Sequence, residues 1–337
     1  MVPSNDNVFS EAPCLCDPLA ARRRSRLTNL VLPIGGYAPR ETAHGAGLEA
    51  FRKAVIEGGN GAIEMPVEWN ILDSGRPVTD LLDLVESGEM FMCYFSTSYQ
   101  GERVQALNIL EVPYMFDDLQ SAHAALDGDL GARLTGAVRE ATGFEMLGYW
   151  DNGFRHLTNR LRPVRRPEDC AGMTVRMQPN QYHEAMIRAW GATPLAVELK
   201  RGIELIDNLE VDAQENPLAN TVAYGVDRVH KHVTMSGHLY GARGLFANRS
   251  QFEKLPAELR ELVLTAATRA VALQRGVAAA TERDLRGRLE STGLRFVDLT
   301  AEEKLAFREA SKPAIDLARR ELGDELFKLA GIATKGA

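Results

Sequence analysis

The chain has 337 residues, 45% hydrophobic and 25% charged, the balance of an ordinary globular protein of about two domains. A net charge of −7 disfavours nucleic acid as a partner, since phosphate binding needs a basic face. No apolar run approaches the ~20 residues needed to cross a bilayer. The four cysteines, Cys14, Cys16, Cys93 and Cys170, do not make a disulfide framework, and Cys93 reads as a small buried apolar residue.

Residues 1–26, rich in Pro, Ser, Asn and Asp, read as a disordered tail. The basic run Arg22–Arg24 precedes Leu27–Ile34. That segment is short for the apolar core of a signal peptide, holds Thr28 and Asn29, and contains Pro33. It reads as a first buried strand, with an atypical twin-arginine signal as the alternative, and no export signal is legible. Thr42–Glu57 is predicted as a helix capped by Thr42, with Leu48, Phe51 and Val55 on one face. Ala62–Trp69 alternates like a strand, Val78–Glu86 is a short helix, and Glu89–Phe95 is a second strand-like run. Leu119–Glu140 follows as a helix and Phe144–Trp150 as a strand.

A second series then begins: strand Met173–Met177, helix Gln181–Trp190, strand Thr193–Ala196, helix Leu199–Leu209 and strand Val211–Gln214. Strands alternating with helices predict an α/β fold with mainly parallel sheets. Leu255–Glu290 has Pro256 near its start and apolar residues at helical spacing. Such a helix spans ~50 Å and most simply crosses two domains. Strand Leu294–Asp298 and a helix over about Ala301–Leu329 complete the chain.

Three tracts carry polar residues at the ends of apolar runs: Gly153–Asn159, Gly172–Asn180 and Val211–Leu218. Arg155, Arg176 and Asn216 stand there, with Asn180 alongside. A lone arginine at a strand end is usually a surface residue, and Asn216 before Pro217 could simply cap a helix. Two arginines in tracts rich in hydrogen-bonding residues point instead to a site for a small carboxylate. A guanidinium fork matches a carboxylate two-on-two. Tyr94, Trp69 and Trp150 are candidate cleft walls.

Signatures of catalysis are missing: no G-x-S-x-G elbow, no H-E-x-x-H and no P-loop lysine is present. Gly45 and Gly47 lack the third glycine of a nucleotide loop. His230 and His232 could share a strand face, but no third metal ligand clusters with them. Glu302 and Glu303 read as a solvated helix start. Glu215 and His238 are the candidates for a general base near Arg176, and neither sits in a motif that demands that role.

Taken together, Leu107–Asp118, Gly148–Asn159, Arg162–Asn180, Val211–Thr221, His238–Pro256 and Gln274-Arg275 resemble the substrate-binding proteins of tripartite ATP-independent periplasmic (TRAP) transporters. The resemblance runs from about Leu27 to Leu329. It implies a two-domain, periplasmic-binding-protein-like α/β clamshell braced by a long helix, with domains of residues 27–152 plus 242–280 and 153–241 plus 281–337. It also implies a periplasmic protein that captures a small organic acid for TRAP membrane permease subunits, without catalysis, cofactor or metal. Arg176 would make the main salt bridge to the substrate carboxylate. Arg155, Asn216, Asn180, Tyr94, Trp150 and His238 complete the expected site. A carboxylate-handling enzyme or a ligand sensor on the same fold is the alternative.

Overall fold

The computed structural model of the protein describes residues 30–331. The tail of residues 1–26, the basic run Arg22–Arg24 and the start of the strand expected over Leu27–Ile34 lie outside the described residues. Short parallel strands open the fold. β1 (Leu30–Val31) pairs with β3 (Ile63–Glu64), while β2 (Ile34–Gly35) lies between β4 (Val67–Glu68) and β5 (Met92–Ser96). The single strand expected over Ala62–Trp69 is therefore two. Pro66 has no N–H to give a ladder, and pairing switches there from β1 to β2.

The remaining strands are β6 (Phe144–Asn159), β7 (Thr174–Met177), β8 (Thr193–Ala196), β9 (Ala213–Asn216), β10 (His232–Asn248) and β11 (Arg295–Val297). They form one hydrogen-bonded path, β4-β2-β5-β10-β6-β9-β7-β8, with β11 beside β10. The outer pairs are parallel, but β10 runs antiparallel to β5 and β6, and β9 antiparallel to β6. The sheet is thus mixed rather than mainly parallel. Its centre is two long antiparallel strands, of 16 and 17 residues, that carry both halves. Neither was legible in full. β6 was expected to stop at Trp150, yet it continues through Gly153, whose φ of +98° suits glycine. Gly153 pairs with Gly241 of β10, next to a register shift between Gly241 and Ala242.

The long helix spans Ala257–Ser291, within two residues of the expected ends. Leu259, Val263, Ala266 and Ala270 pack into the core that holds Phe51, Tyr94 and Phe246. Leu285 and Leu289 enter a separate cluster with Leu218, Val233 and Leu294. One helix therefore seals apolar surface in both halves of the sheet. It is pinned midway. Gln274 accepts from the Asp151 N–H at 2.9 Å and donates to the Asp151 carbonyl at 2.8 Å, beside the β6–β10 crossing. A third cluster packs Met173, Val175, Trp190 and Phe307 around β7.

Two expected helices are broken, the last of them also at Gly323, whose φ of +76° lies outside the helical region. Leu119–Glu140 divides into Leu119–Asp127 and Asp129–Ala141, because Gly128 leaves the helical region at φ −105°, ψ −149°. The last helix divides at Ser311 into Ala301–Ala310 and Lys312–Leu329, with Pro313 in the first turn of the second.

Candidate functional site

Three guanidiniums lie inside the molecule: Arg155, Arg176 and Arg243, each at most 2% exposed. Burying a cation is costly unless it is paired, so the partners decide what each one does. Arg155, on β6, is held by Glu215 of β9. Its Nε meets Glu215 Oε2, while Nη2 donates to Oε1 at 2.8 Å and to the Glu215 carbonyl at 2.7 Å. Burial alone would raise the Glu215 carboxyl. Arg155 and His238 outweigh it and hold the group well below the usual carboxylate range. His238 stands behind this pair, with Nε2 at 3.8 Å from Glu215 and Nδ1 at 2.7 Å from Ser236 Oγ. Burial lowers its pKa against the pull of Glu215.

Arg176 is different. It lies within β7, between β8 and β9, and Nη2 donates to the Val197 carbonyl at 2.9 Å. Its Nε has no partner among the described residues. The helix Leu199–Asp207 presses on the same side chain. A Cβ at Gly202 would sit 2.4 Å from Arg176 Nε, so glycine is what admits the guanidinium.

Arg243 escaped the sequence reading, although it interrupts the apolar run of β10 just as Arg176 interrupts β7. It pairs in register with Ser96 of β5 and Trp150 of β6. Its guanidinium carbon lies 4.4 Å from the Tyr37 ring centre and 5.5 Å from that of Tyr94. Nη2 has only long contacts, 3.4 Å to Tyr224 Oη and 3.5 Å to Asn220 Oδ1. Nε and Nη1 have none among the described residues. Among the described residues, no carboxylate oxygen lies within 4.0 Å of Arg176 or Arg243.

The surroundings of the two unpaired arginines connect. Tyr99 lies within the electrostatic reach of Arg176, Arg155 and Tyr224, and its hydroxyl is unpartnered. Gln214 is the register partner of Arg176 on β9, and its Nε2 is also free among the described residues. Trp150 is fully buried, its indole N–H unpartnered among the described residues and its ring 5.3 Å from that of Tyr94. The Tyr94 hydroxyl accepts from the Tyr37 N–H at 3.0 Å. From Trp150 through Arg243 and Tyr99 to Arg176 and Gln214, the unsatisfied groups are mostly donors. Buried donors of this density call for an acceptor-rich, anionic guest.

Other expected residues have structural work. Asn180 caps the helix Gln181–Ala189 by accepting from Tyr182 N, and its Nδ2 donates to Asn108 Oδ1 at 2.9 Å. Asn216 does not cap the helix Leu218–Ala223. Its Oδ1 accepts from Asn220 Nδ2 at 3.1 Å, because Pro217 occupies the cap position. Trp69 is half-buried and stacks under Arg40. His230 lies buried against Thr158, and no group of potential metal ligands occurs among the described residues.

A groove of about 910 Å³ abuts this cluster at Asn220 and His44 and is lined by Tyr114, Phe116, Asp151, His156, Glu282 and Leu285 among others. None of the three buried arginines lines it. Its Glu282 is pushed up to about 7 by burial. The groove offers space, but the unpaired buried donors lie in the arginine cluster, and for an anion those donors are the physical criterion.

Comparison with known proteins places this geometry in a family. The profile of DctP, bacterial extracellular solute-binding protein family 7, matches residues 34–321. The chain is 27% identical over 324 residues to the C4-dicarboxylate-binding periplasmic protein DctP of Rhodobacter capsulatus, covering 96% of this chain and 93% of that one. It superposes on a TRAP periplasmic solute-binding protein of Sulfurospirillum deleyianum with bound succinate, with TM-score 0.84 and 27% identity, over 91% of this chain and 100% of that one. A TRAP periplasmic solute-binding protein of a Polaromonas species, bound to D-erythronate, matches with TM-score 0.84 and 25% identity over the same shares. With the two-domain α/β architecture shared and the profile matched over most of its length, this chain belongs to bacterial extracellular solute-binding protein family 7, the solute-binding proteins of TRAP transporters.

Proposed function

We propose that the chain captures a small organic acid between its two domains and delivers it to a TRAP membrane permease, in the periplasm, without chemical turnover. The observation that carries the reading is Arg176: a buried guanidinium with an unpartnered Nε and no carboxylate beside it. A ligand carboxylate would supply the missing charge through the bidentate fork. Gln214 is its register partner on β9, and in this reading Asn216, Trp150 and Tyr94 line the rest of the cleft. Arg155 acts mainly by ordering Glu215. Delivery and location follow from the family, whose relatives are periplasmic binding proteins.

The proposed domain boundaries fall at residues 152/153 and 241/242, where Gly153 faces Gly241 on the long strands. Contacts across the cleft support closure by rigid halves. Ser98 Oγ donates to Gln178 Oε1 at 3.1 Å, and Asn108 meets Asn180. Neither base candidate that the sequence offered is well placed to act. Glu215 is held as a weakly basic carboxylate by Arg155, and His238 is turned toward Ser236. A thermal-shift screen of mono- and dicarboxylates and sugar acids, followed by recovery of the ligand after long incubation, tests the reading. Saturable binding with the acid returned unchanged supports it. Conversion of the acid to a product, or no stabilisation by any acid, sinks it.

A further inference from the structure

We propose that the groove lined by Phe154, Glu282 and Leu285 is a second ligand site, built for an organic ammonium ion on an apolar body. The inference goes beyond the organic-acid reading and does not depend on it, because Arg155, Arg176 and Arg243 all lie outside the groove.

The groove encloses about 910 Å³. Small-molecule sites commonly measure about 300–1,000 Å³. It stands on the face of β6 opposite Arg155. Asn152, Phe154 and His156 line it, while Arg155 between them turns to Glu215. The second half of the long helix supplies another wall, with Ala279, Glu282 and Leu285.

The chemistry of the lining selects the guest. Tyr114, Phe116 and Phe154 present aromatic surface, and Phe116 and Phe154 each meet Tyr240 edge-to-face with ring centres 5.7 Å apart. Aromatic rings suit an apolar body, and their faces attract cations. Among the acids of the lining, Asp151 is engaged by His123 and Tyr240, Asp298 by Arg286 and Asp117 by Arg308, and Glu41 is exposed to water. Glu282 is different. It is half-buried, the Ala219 N–H donates to its carboxyl group, and Oε1 has no partner among the described residues. A buried carboxylate oxygen needs a donor, and an ammonium brings both the donor and the opposite charge. His156 does not compete as a cation. Burial holds it at about 3, so the ring is neutral, and Nδ1 accepts from the Gly237 N–H at 3.0 Å. Lys304 and Arg288 are exposed, so water and salt screen them. An anionic guest would face Glu282, and a plain hydrocarbon would leave its Oε1 unanswered.

Calorimetry with 2-phenylethylamine and its isosteric alcohol, 2-phenylethanol, tests this at about pH 8, where the amine is charged and Glu282, pushed up to about 7, is ionised. The unaltered protein should bind the amine saturably and at least about tenfold more tightly than the alcohol. Glu282→Gln keeps the shape and an acceptor for the Ala219 N–H, and should bring the two affinities within about threefold of each other. Ala279→Trp fills the groove from the long helix and should abolish binding of both. Methyl-labelled methionine locates the guest without any substitution. The signal of Met235, on the groove wall, should shift on adding the amine, and that of Met186, sealed in the cluster around β7, should not. Absence of saturable amine binding, equal affinities for amine and alcohol in the unaltered protein, or an unmoved Met235 signal overturns the site. So does a preference that survives Glu282→Gln, or amine binding that survives Ala279→Trp. The matched pair and the methionine signals decide the matter even where a variant fails to fold.

Discussion

Arg176 should be the strongest single determinant of affinity, ahead of Arg155 and Asn216. Truncating one member of a buried charged pair costs ~2–5 kcal/mol, much of it from leaving the other charge unpaired. Arg176→Ala should therefore weaken binding by roughly 30-fold to several thousand-fold, and Arg176→Lys should recover only part, since the fork is lost. Calorimetry that finds Arg176→Ala within about threefold of the parent would remove the anchor. Two histidines govern a different property. His156 and His230 are both held at about 3 by burial, against an ordinary 6.5. Each stays neutral in the fold and takes a proton on unfolding, so its contribution to stability is intact above pH 6.5 and shrinks as pH falls toward 3. Each should cost about 2 kcal/mol by pH 5, and urea midpoints that stay flat from pH 7 to 5 would contradict this. At this scale the sequence showed Arg155 and Arg176 by their strand-end tracts. It could not show that Glu215 neutralises one and not the other, since that depends on the pairing of β6 with β9. Arg243 gave the same local signal and was passed over because no strand was read around it.

The helix Leu199–Asp207 shapes the anchor without touching a ligand. Gly202 faces Arg176, and a Cβ there would sit 2.4 Å from Nε, 3.0 Å from Cδ and 3.1 Å from Cζ. The arginine is flexible enough to give way, so the fold should survive Gly202→Ala. Replacing a helical glycine by alanine adds ~0.5–1 kcal/mol of helix stability. We expect an unchanged or raised melting temperature together with weaker acid binding, on the order of tenfold. Unaltered affinity would mean that the guanidinium position is not what binds. Elements were legible where apolar periodicity was strong and unbroken, as in the long helix and in Gln181–Ala189. They were misread where a single residue broke the geometry: Pro66 between β3 and β4, Gly128 between two helices, Ser311 before Pro313. The two long strands hid for another reason. The second half of β6 buries Arg155 and Thr158, and the first half of β10, which pairs with it, buries Thr234, so no apolar pattern marks them.

The arrangement of the whole molecule implies an energetic preference before any ligand arrives. In the described conformation two guanidiniums are buried without counter-ions, and each such ion carries an effective penalty of several kcal/mol. The polar contacts across the cleft, Ser98–Gln178, Asn108–Asn180 and Lys200 Nζ to the Gly75 carbonyl at 2.6 Å, contribute ~0.5–1.5 kcal/mol each at best for the neutral ones. They do not offset two unpaired charges. The free protein should therefore populate a more open form in which water reaches Arg176 and Arg243, and a bound acid should shift the population to the closed form. Small-angle scattering should show the radius of gyration falling on saturation with ligand. The decisive variant is Arg176→Met combined with Arg243→Met. It removes the cations, keeps roughly their volume, and should close the cleft without ligand while abolishing acid binding. Gln274, which ties the long helix to Asp151 beside Gly153, stays intact, so the hinge itself is unchanged. If the free parent scatters like the ligand-bound protein, or the double variant stays open, then unpaired arginine charge does not set the opening of this cleft.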